Sequence, residues 1–275
     1  MPTIRKIFVV IDPTTDKQVA LDSAAKLSSY SDKIELHVYE AVFNNSQHID
    51  NEALQRVELA RHRAWIESLV LPVRANGNTV TVELEWTDKW RDALAPAAER
   101  AKADLIIKAA SSHSSTERRL SKTSDWTVLR NAPCPVYLIK RSGIEAGAKV
   151  LIALDIKRES EIHNQLNGSV IDFGKALTTG IPDSELHAVN AYSSSDHFVY
   201  PDDVAEIAKI ERSHAHAVEG APEKVIPEVA KDIDASIVVI GTAARRGLKA
   251  AMIGNTAEKI LDALDTNILT VNANS

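Results

Sequence analysis

The segment richest in chemistry-bearing residue types is Ile240-Gly241-Thr242-Ala243-Ala244-Arg245-Arg246-Gly247-Leu248, followed by Ile253-Gly254-Asn255-Thr256-Ala257-Glu258. Glycine has no Cβ, so a ligand can approach the backbone closely at Gly241 and Gly254. Asn255 and Thr256 are good N-cap types for a helix running toward Ala263. The unpaired N–H groups at a helix N-terminus favour an anion such as phosphate, and Arg245 and Arg246 add positive charge beside it. The same residues also fit a turn, a capped helix and two solvated arginines. Spacing alone leaves both readings open.

Other constellations carry less. No Gly-x-x-x-x-Gly-Lys-Ser/Thr, Gly-x-Gly-x-x-Gly, His-Glu-x-x-His, Cys-x-x-Cys or Gly-x-Ser-x-Gly occurs. Ser23-Ala24-Ala25-Lys26 matches Ser-x-x-Lys without its companion motifs and reads as part of the first helix. His214 and His216 flank Ala215 at strand spacing and share a face. A metal pair is conceivable there, but the sequence places no third ligand, and two half-exposed strand histidines is the simpler reading. His37 and His187 stand at matching places in the two halves, which suits a packing or hydrogen-bonding need of the fold. Cys134, Trp65 and Trp126 read as packing residues.

These residues must be positioned by a frame, and the chain repeats its frame. Val9-Val10-Ile11-Asp12 returns as Ile152-Ala153-Leu154-Asp155, and Glu35-Leu36-His37-Val38 as Glu185-Leu186-His187-Ala188. Ala103–Lys108 returns as Ala235–Ile240, and Cys134–Ile139 as Thr266–Val271. The offset is 143 at the first match, 150 at the second and 132 at the last two, with 132 expected from Trp86 onward. A fixed recurrence of this kind signals one structural unit used twice. Copy one is expected over residues 1–142 and copy two over 147–275, with the linker near Ser142–Ala148.

Within each copy, continuous apolar strands such as Ile7–Ile11, Leu105–Ile107 and Val136–Ile139 suit a parallel sheet buried on both faces. Helical stretches lie between them, around Leu54–Leu69, Asp92–Ala103 and Glu223–Asp232, with only a short helix expected near Asp202–Glu211. Alternating strands and helices imply right-handed crossovers and an α/β fold. Two tandem, Rossmann-like, five-stranded parallel sheets with flanking helices are therefore expected. Ligands of such sheets lie beyond the carboxyl ends of the strands. The places to look are just after Ile11, Val38 and Ile107 in copy one, and after Leu154, Ala188 and Ile240 in copy two.

Composition sets limits on function. The 275 residues are 44% hydrophobic and 25% charged, a globular balance. Residues 1–142 hold 20 Lys+Arg against 18 Asp+Glu, and residues 143–275 hold 12 against 20, which together give the net charge of −6. Neither half has the basic stripe of an electrostatic nucleic-acid binder. The apolar runs are far short of the ~18 residues that span a bilayer. The opening apolar run is too short for a secretory signal, and one cysteine allows no intrachain disulfide, so a cytoplasmic protein with no membrane partner is expected.

The loop of copy two resembles that of the universal stress protein family, in which Gly, two residues, Gly, nine residues, then Gly with Ser or Thr hold a nucleotide. Gly241, Ala244, Gly254 and Asn255 stand at the four places, with Arg245–Ile253 as the nine-residue spacer. Ala244 and Asn255 are mild departures. The Gly-Asn-Thr-Ala-Glu run, the Asp125-Trp126 with Leu129-Arg130, and the tandem layout look most like the E-type members of that family. The resemblance implies a cytoplasmic, bacterial stress-response protein that binds ATP, with Mg²⁺, in copy two. Asp155 would lie near the adenine or ribose, and Ala188 would offer its backbone to the adenine. Ile240, Gly241, Ala243, Ala244, Gly254, Asn255 and Thr256 would hold the phosphates. It also implies antiparallel pairing of the last strands of the copies, an intrachain pseudo-dimer, with a further homodimer open. Copy one has Ala109, Ser112, Lys122 and Thr123 at the loop positions, so it reads as a degenerate or repurposed site. Slow ATP hydrolysis or self-phosphorylation is the enzymatic alternative, although the sequence offers no general base. A non-nucleotide small molecule, or a pure interaction role, is the third reading.

Overall fold

The computed structural model describes residues 4–30, 34–42, 52–110, 124–141, 143, 145–156, 160–242 and 255–272. The chain divides into two compact units, one spanning Ile4–Pro133 and one from Cys134 onward.

In the first unit, strand β1 (Lys6–Val10) is followed by α1 (Val19–Ser28), β2 (Glu35–Val42), α2 (Glu52–Ala75), β3 (Thr79–Trp86), α3 (Trp90–Ala101), β4 (Leu105–Ala109) and α4 (Ser124–Asn131). The strands lie in the order β3-β2-β1-β4, all parallel. Ile7, Phe8 and Val9 of β1 and Ile106 and Ile107 of β4 are all but fully buried, as expected where helices cover both faces. Lys102, in the left-handed region at φ 55°, ends α3.

The second unit begins with β5 (Val136–Ile139) and continues through β6 (Lys149–Leu154), α5 (Glu161–Gly180), β7 (Glu185–Tyr192), α6 (Pro201–Ala208), β8 (Ala215–Glu219), α7 (Pro222–Asp232), β9 (Ile237–Thr242), α8 (Asn255–Ala263) and β10 (Asn267–Asn272). Its strands lie in the order β5-β10-β9-β6-β7-β8. All pairs are parallel except β5 with β10, which runs antiparallel with Leu138 opposite Ile268 and Val136 opposite Thr270. The antiparallel pairing expected of these two strands is thus present. Ser160 caps α5 by accepting from the His163 N–H at 3.2 Å, and Pro201 and Pro222 start α6 and α7, where a missing N–H costs nothing. Gly174 lets α5 settle onto the sheet, because a Cβ there would lie 2.5 Å from Ile152 Cγ2.

Several expectations need adjustment. The second strand of each copy runs on to Val42 and Tyr192, four residues past Val38 and Ala188. The third strand is offset by 133, since Val42 pairs with Trp86 and Tyr192 with Glu219. The 132 offset resumes at the following helix because Gly220, at φ 145°, turns the chain one residue faster than Thr87–Lys89. Helix α2 reaches Ala75, six residues past Leu69. Helix α6 stops at Ala208, where Lys209 takes the left-handed conformation. The sequence copies expected to part near residue 145 and the compact units, which part at Pro133/Cys134, differ by β5, whose antiparallel partner is β10.

Candidate functional site

The carboxyl ends of β6 and β9 and the start of α8 gather the describable part of the site in the second unit. Asp155 follows β6 on a turn clamped from both sides. Its N–H donates to Asn167 Oδ1 at 3.1 Å, and Asn167 Nδ2 donates to its carbonyl at 2.9 Å. The next N–H, of Ile156, donates to Oδ1 of the buried Asn190 at 2.9 Å. With its backbone fixed by α5 and β7, Asp155 is exposed and its carboxylate makes no hydrogen bond among the described residues. A carboxylate held in this way can accept from ligand hydroxyl or amino groups without first breaking an internal bond.

The remaining expected residues fall in three groups. Ile240 and Gly241 lie inside β9, paired with Thr270 and Val271 of β10. The close approach at Gly241 is made by the protein itself, since a Cβ there would lie 2.5 Å from Leu166 Cγ on α5. Ala188 is fully buried in mid-strand, opposite Ile152 and Ala215, so the end of β7 is Asn190–Tyr192. Asn255 opens α8 and Thr256 is exposed in its first turn. Ala243, Ala244, Gly254, Arg245 and Arg246 lie outside the described residues. Sequence reasoning missed Asn167 and Asn190, which hold the Asp155 turn. Tyr192 ends β7, and Phe198 and Tyr200 lie just beyond it, the rings meeting edge to face at 5.3 and 4.7 Å. Phe198 and Tyr200 are exposed.

The matching region of the first unit is built differently. Asp12 is drawn into its own turn, its Oδ1 accepting from Thr14 N at 2.9 Å and Thr14 Oγ1 at 2.6 Å. Glu40 replaces Asn190 in the second strand. It is fully buried, with Oε1 2.6 Å from His62 Nδ1 and Oε2 without a partner among the described residues. Burial pushes its carboxyl above the usual range, against the pull of His62. Lys108, standing where copy two has Ile240, donates to Asp125 Oδ1 at 2.6 Å and to the Ala109 carbonyl at 2.8 Å.

The amino ends of the second and third strands of the copies hold His37, His187, His214 and His216. His37 bonds to Thr81 Oγ1 at 3.0 Å and Glu83 Oε2 at 2.9 Å, and Arg100 binds Glu83 and Glu85. In the second unit, His187 Nε2 lies 3.2 Å from Glu185 Oε2 and its Nδ1 3.4 Å from His216 Nε2. The His187 ring stacks on His214 with centroids 4.2 Å apart. Burial holds both the His187 and His216 rings below the usual imidazole range. The sequence paired His214 with His216; the fold adds His187 and Glu185. Ser23 and Cys134 are buried, Trp65 meets His62 edge-on, and Arg130 lies over Trp126 at 5.9 Å, in keeping with packing roles.

A Rossmann-like α/β chain built from two related copies, with any ligand site at strand carboxyl ends, is the class that fold and site define. The pattern described as Universal stress protein family matches residues 3–140 and 168–272, and the chain belongs to that family. It is similar to Universal stress protein E of Salmonella typhi, at 28% identity over 98% of this chain and 95% of that protein. Among solved structures, it is similar to a functionally unknown protein of Pseudomonas aeruginosa PAO1 (TM-score 0.82, 25% identity, covering 99% of this chain and 94% of that one). A putative universal stress protein of P. aeruginosa UCBPP-PA14 follows (TM-score 0.81, 26% identity, 98% and 94%). Membership supports a stress-response role. Among the described residues, no helix is long and apolar enough to cross a membrane.

Proposed function

We propose that this protein acts in the stress response by binding ATP or a related nucleotide in its second copy, with nucleotide state biasing its contacts with partners. The observation that carries the reading is the exposed Asp155 carboxylate on a turn locked by Asn167 and Asn190. It stands at the carboxyl end of the sheet that leads, through the Gly241-to-Asn255 spacing, into α8. Asp155 would accept from the ribose or adenine. The N–H groups at the start of α8, with Thr256, would receive phosphate, which suits a helix N-terminus. Mg²⁺, when bound with ATP, would neutralise phosphate charge in an otherwise acidic half. The interior positions Ala188, Ile240 and Gly241 would serve as frame, and Ala243, Ala244, Gly254 and Asn255 as the backbone cradle. This chain is read as cytoplasmic.

Thermal unfolding with millimolar ATP and Mg²⁺ tests the reading. Binding should raise Tm by the amount set by RT ln(1+[L]/Kd). Asp155→Ala should shrink the rise and Gly254→Glu abolish it, whereas no rise in the wild type overturns the proposal. Native mass spectrometry on the purified chain separates a co-purified nucleotide from any other small molecule. ADP release above the Gly254→Glu background would extend the reading to slow hydrolysis.

A further inference from the structure

The histidines at the amino end of the second sheet form a cluster that nucleotide binding leaves unused. Glu185 is the first residue of β7, His187 follows two positions on, and His214 ends the turn of residues Arg212–His214 that delivers β8. Each offers one ligand atom, and the three atoms lie within 4.8 Å of one another. A tetrahedral ion with metal–nitrogen bonds of about 2.0–2.1 Å sets its ligand atoms about 3.3–3.4 Å apart. The Glu185 Oε2 to His187 Nε2 separation is already 3.2 Å, so only His214 needs to close, by at most about 1.4 Å on that geometry. The His187 and His214 rings are stacked at 28°, so binding also requires the His214 ring to turn out of the stack and aim its nitrogen at the ion.

We propose that Glu185, His187 and His214 bind a divalent transition-metal ion, Zn²⁺, at the amino ends of β7 and β8. Two imidazoles and one carboxylate suit Zn²⁺ and disfavour Mg²⁺ or Ca²⁺, which prefer all-oxygen shells. The fourth position stays open to water. His216 is the positioning residue. Its Nε2 meets the His187 Nδ1 at 3.4 Å, which leaves His187 Nε2 directed at the ion, the arrangement metal-bound histidines generally adopt. The ion ties β7 to β8, the edge strand of this sheet, and so fastens the strand with the fewest neighbours.

The first copy supports the assignment by contrast. His37 and Glu35 occupy the same register as His187 and Glu185, but Thr81 and Glu83 stand where copy two has His214 and His216. There the guanidinium of Arg100 supplies the positive charge. At its place, 132 residues on, copy two has Asp232, so no guanidinium stands there, and the nearby cation is Lys149, opposite Glu185 on β6.

The test titrates the full, chelator-stripped chain with Zn²⁺ against a chromophoric chelator, with Co²⁺ absorption as a second probe. One ion per chain is expected, with tetrahedral-type Co²⁺ absorption. His214→Ala should weaken binding at least tenfold and His216→Ala about tenfold, the scale of outer-shell losses. Zn²⁺ should raise the Tm of the wild type but not of His214→Ala. Equal Tm of the two proteins in EDTA shows that the variant folds. Failure to bind Zn²⁺, or full binding retained in both His214→Ala and Glu185→Gln, overturns the proposal. The site lies at the strand ends opposite Asp155, so any ATP-induced rise in Tm should persist in His214→Ala.

Discussion

The two copies share a frame and differ at both ends of their sheets. At the carboxyl ends, copy two keeps neutral groups under its turn, Asn167 and Asn190, and leaves Asp155 exposed. Copy one places charge in the interior instead, pairing Glu40 with His62 and Lys108 with Asp125, and turns Asp12 onto Thr14. At the amino ends the contrast reverses. Copy one is internally neutralised by Arg100, while copy two gathers imidazoles around Glu185. A duplicated scaffold can keep its backbone hydrogen bonds while the groups at strand ends diverge, because ladder bonds do not depend on side-chain identity. Such divergence at the ends of strands is where function changes on a conserved frame.

The largest effect that would break this contrast concerns the buried ion pair of copy one. Asp125→Ala should destabilise the protein by about 3 kcal/mol, because it removes the carboxylate that balances an ammonium group only 10% exposed. The double change Lys108→Ile with Asp125→Ala installs the copy-two residues Ile240 and Ala257 and should recover most of that loss, since an apolar replacement of a buried pair is often neutral. Denaturant unfolding of both variants measures this. A double variant as unstable as the single one would show that the pair is not interchangeable with packing.

A smaller effect separates frame from ligand at Gly241. Gly241→Ala should cost about 2 kcal/mol through overpacking against Leu166, with or without nucleotide. Adding Leu166→Ala should relieve the clash, although it brings its own loss of buried surface. If Gly241→Ala keeps its Tm and loses only the ATP response, the glycine serves the ligand after all.

The smallest effect concerns the amino end of copy one. Burial alone would raise the Glu83 carboxyl, but hydrogen bonds from Arg100 and His37 outweigh it and hold the pKa below the ordinary value of 4.5. A depressed carboxyl stabilises the fold above the unfolded-state pKa, and this contribution fades as pH falls through the folded value. Arg100→Ala should therefore cost under about 1 kcal/mol near pH 7, since the guanidinium is half exposed. The gap from wild type should narrow steadily below pH 4.5. A gap that is flat down to pH 3 would remove Glu83 as its source.

Much of the frame was legible in the sequence because burial on both sheet faces forces unbroken apolar runs such as Phe8-Val9-Val10 and Val238-Val239-Ile240. The extra length of β2 and β7 was not, because Glu40 and Asn190 interrupt the apolar pattern while sitting inside the strands. Asn167 was unreadable for another reason. It lies twelve residues from Asp155 and reaches it only because α5 crosses back over the sheet.

The sequence by itself determined the duplication, the α/β class and the copy that retains the nucleotide-loop spacing, since each depends on residue type at fixed intervals along the chain; the antiparallel pairing of the last strands was implied by the family resemblance, and the fold shows it. Tertiary structure decided which groups meet: Leu166 against Gly241, Glu40 with His62, and Glu185 with His187 and His214. These encounters join residues from different elements, and crossover connections bring such residues within a few ångströms regardless of their separation in sequence.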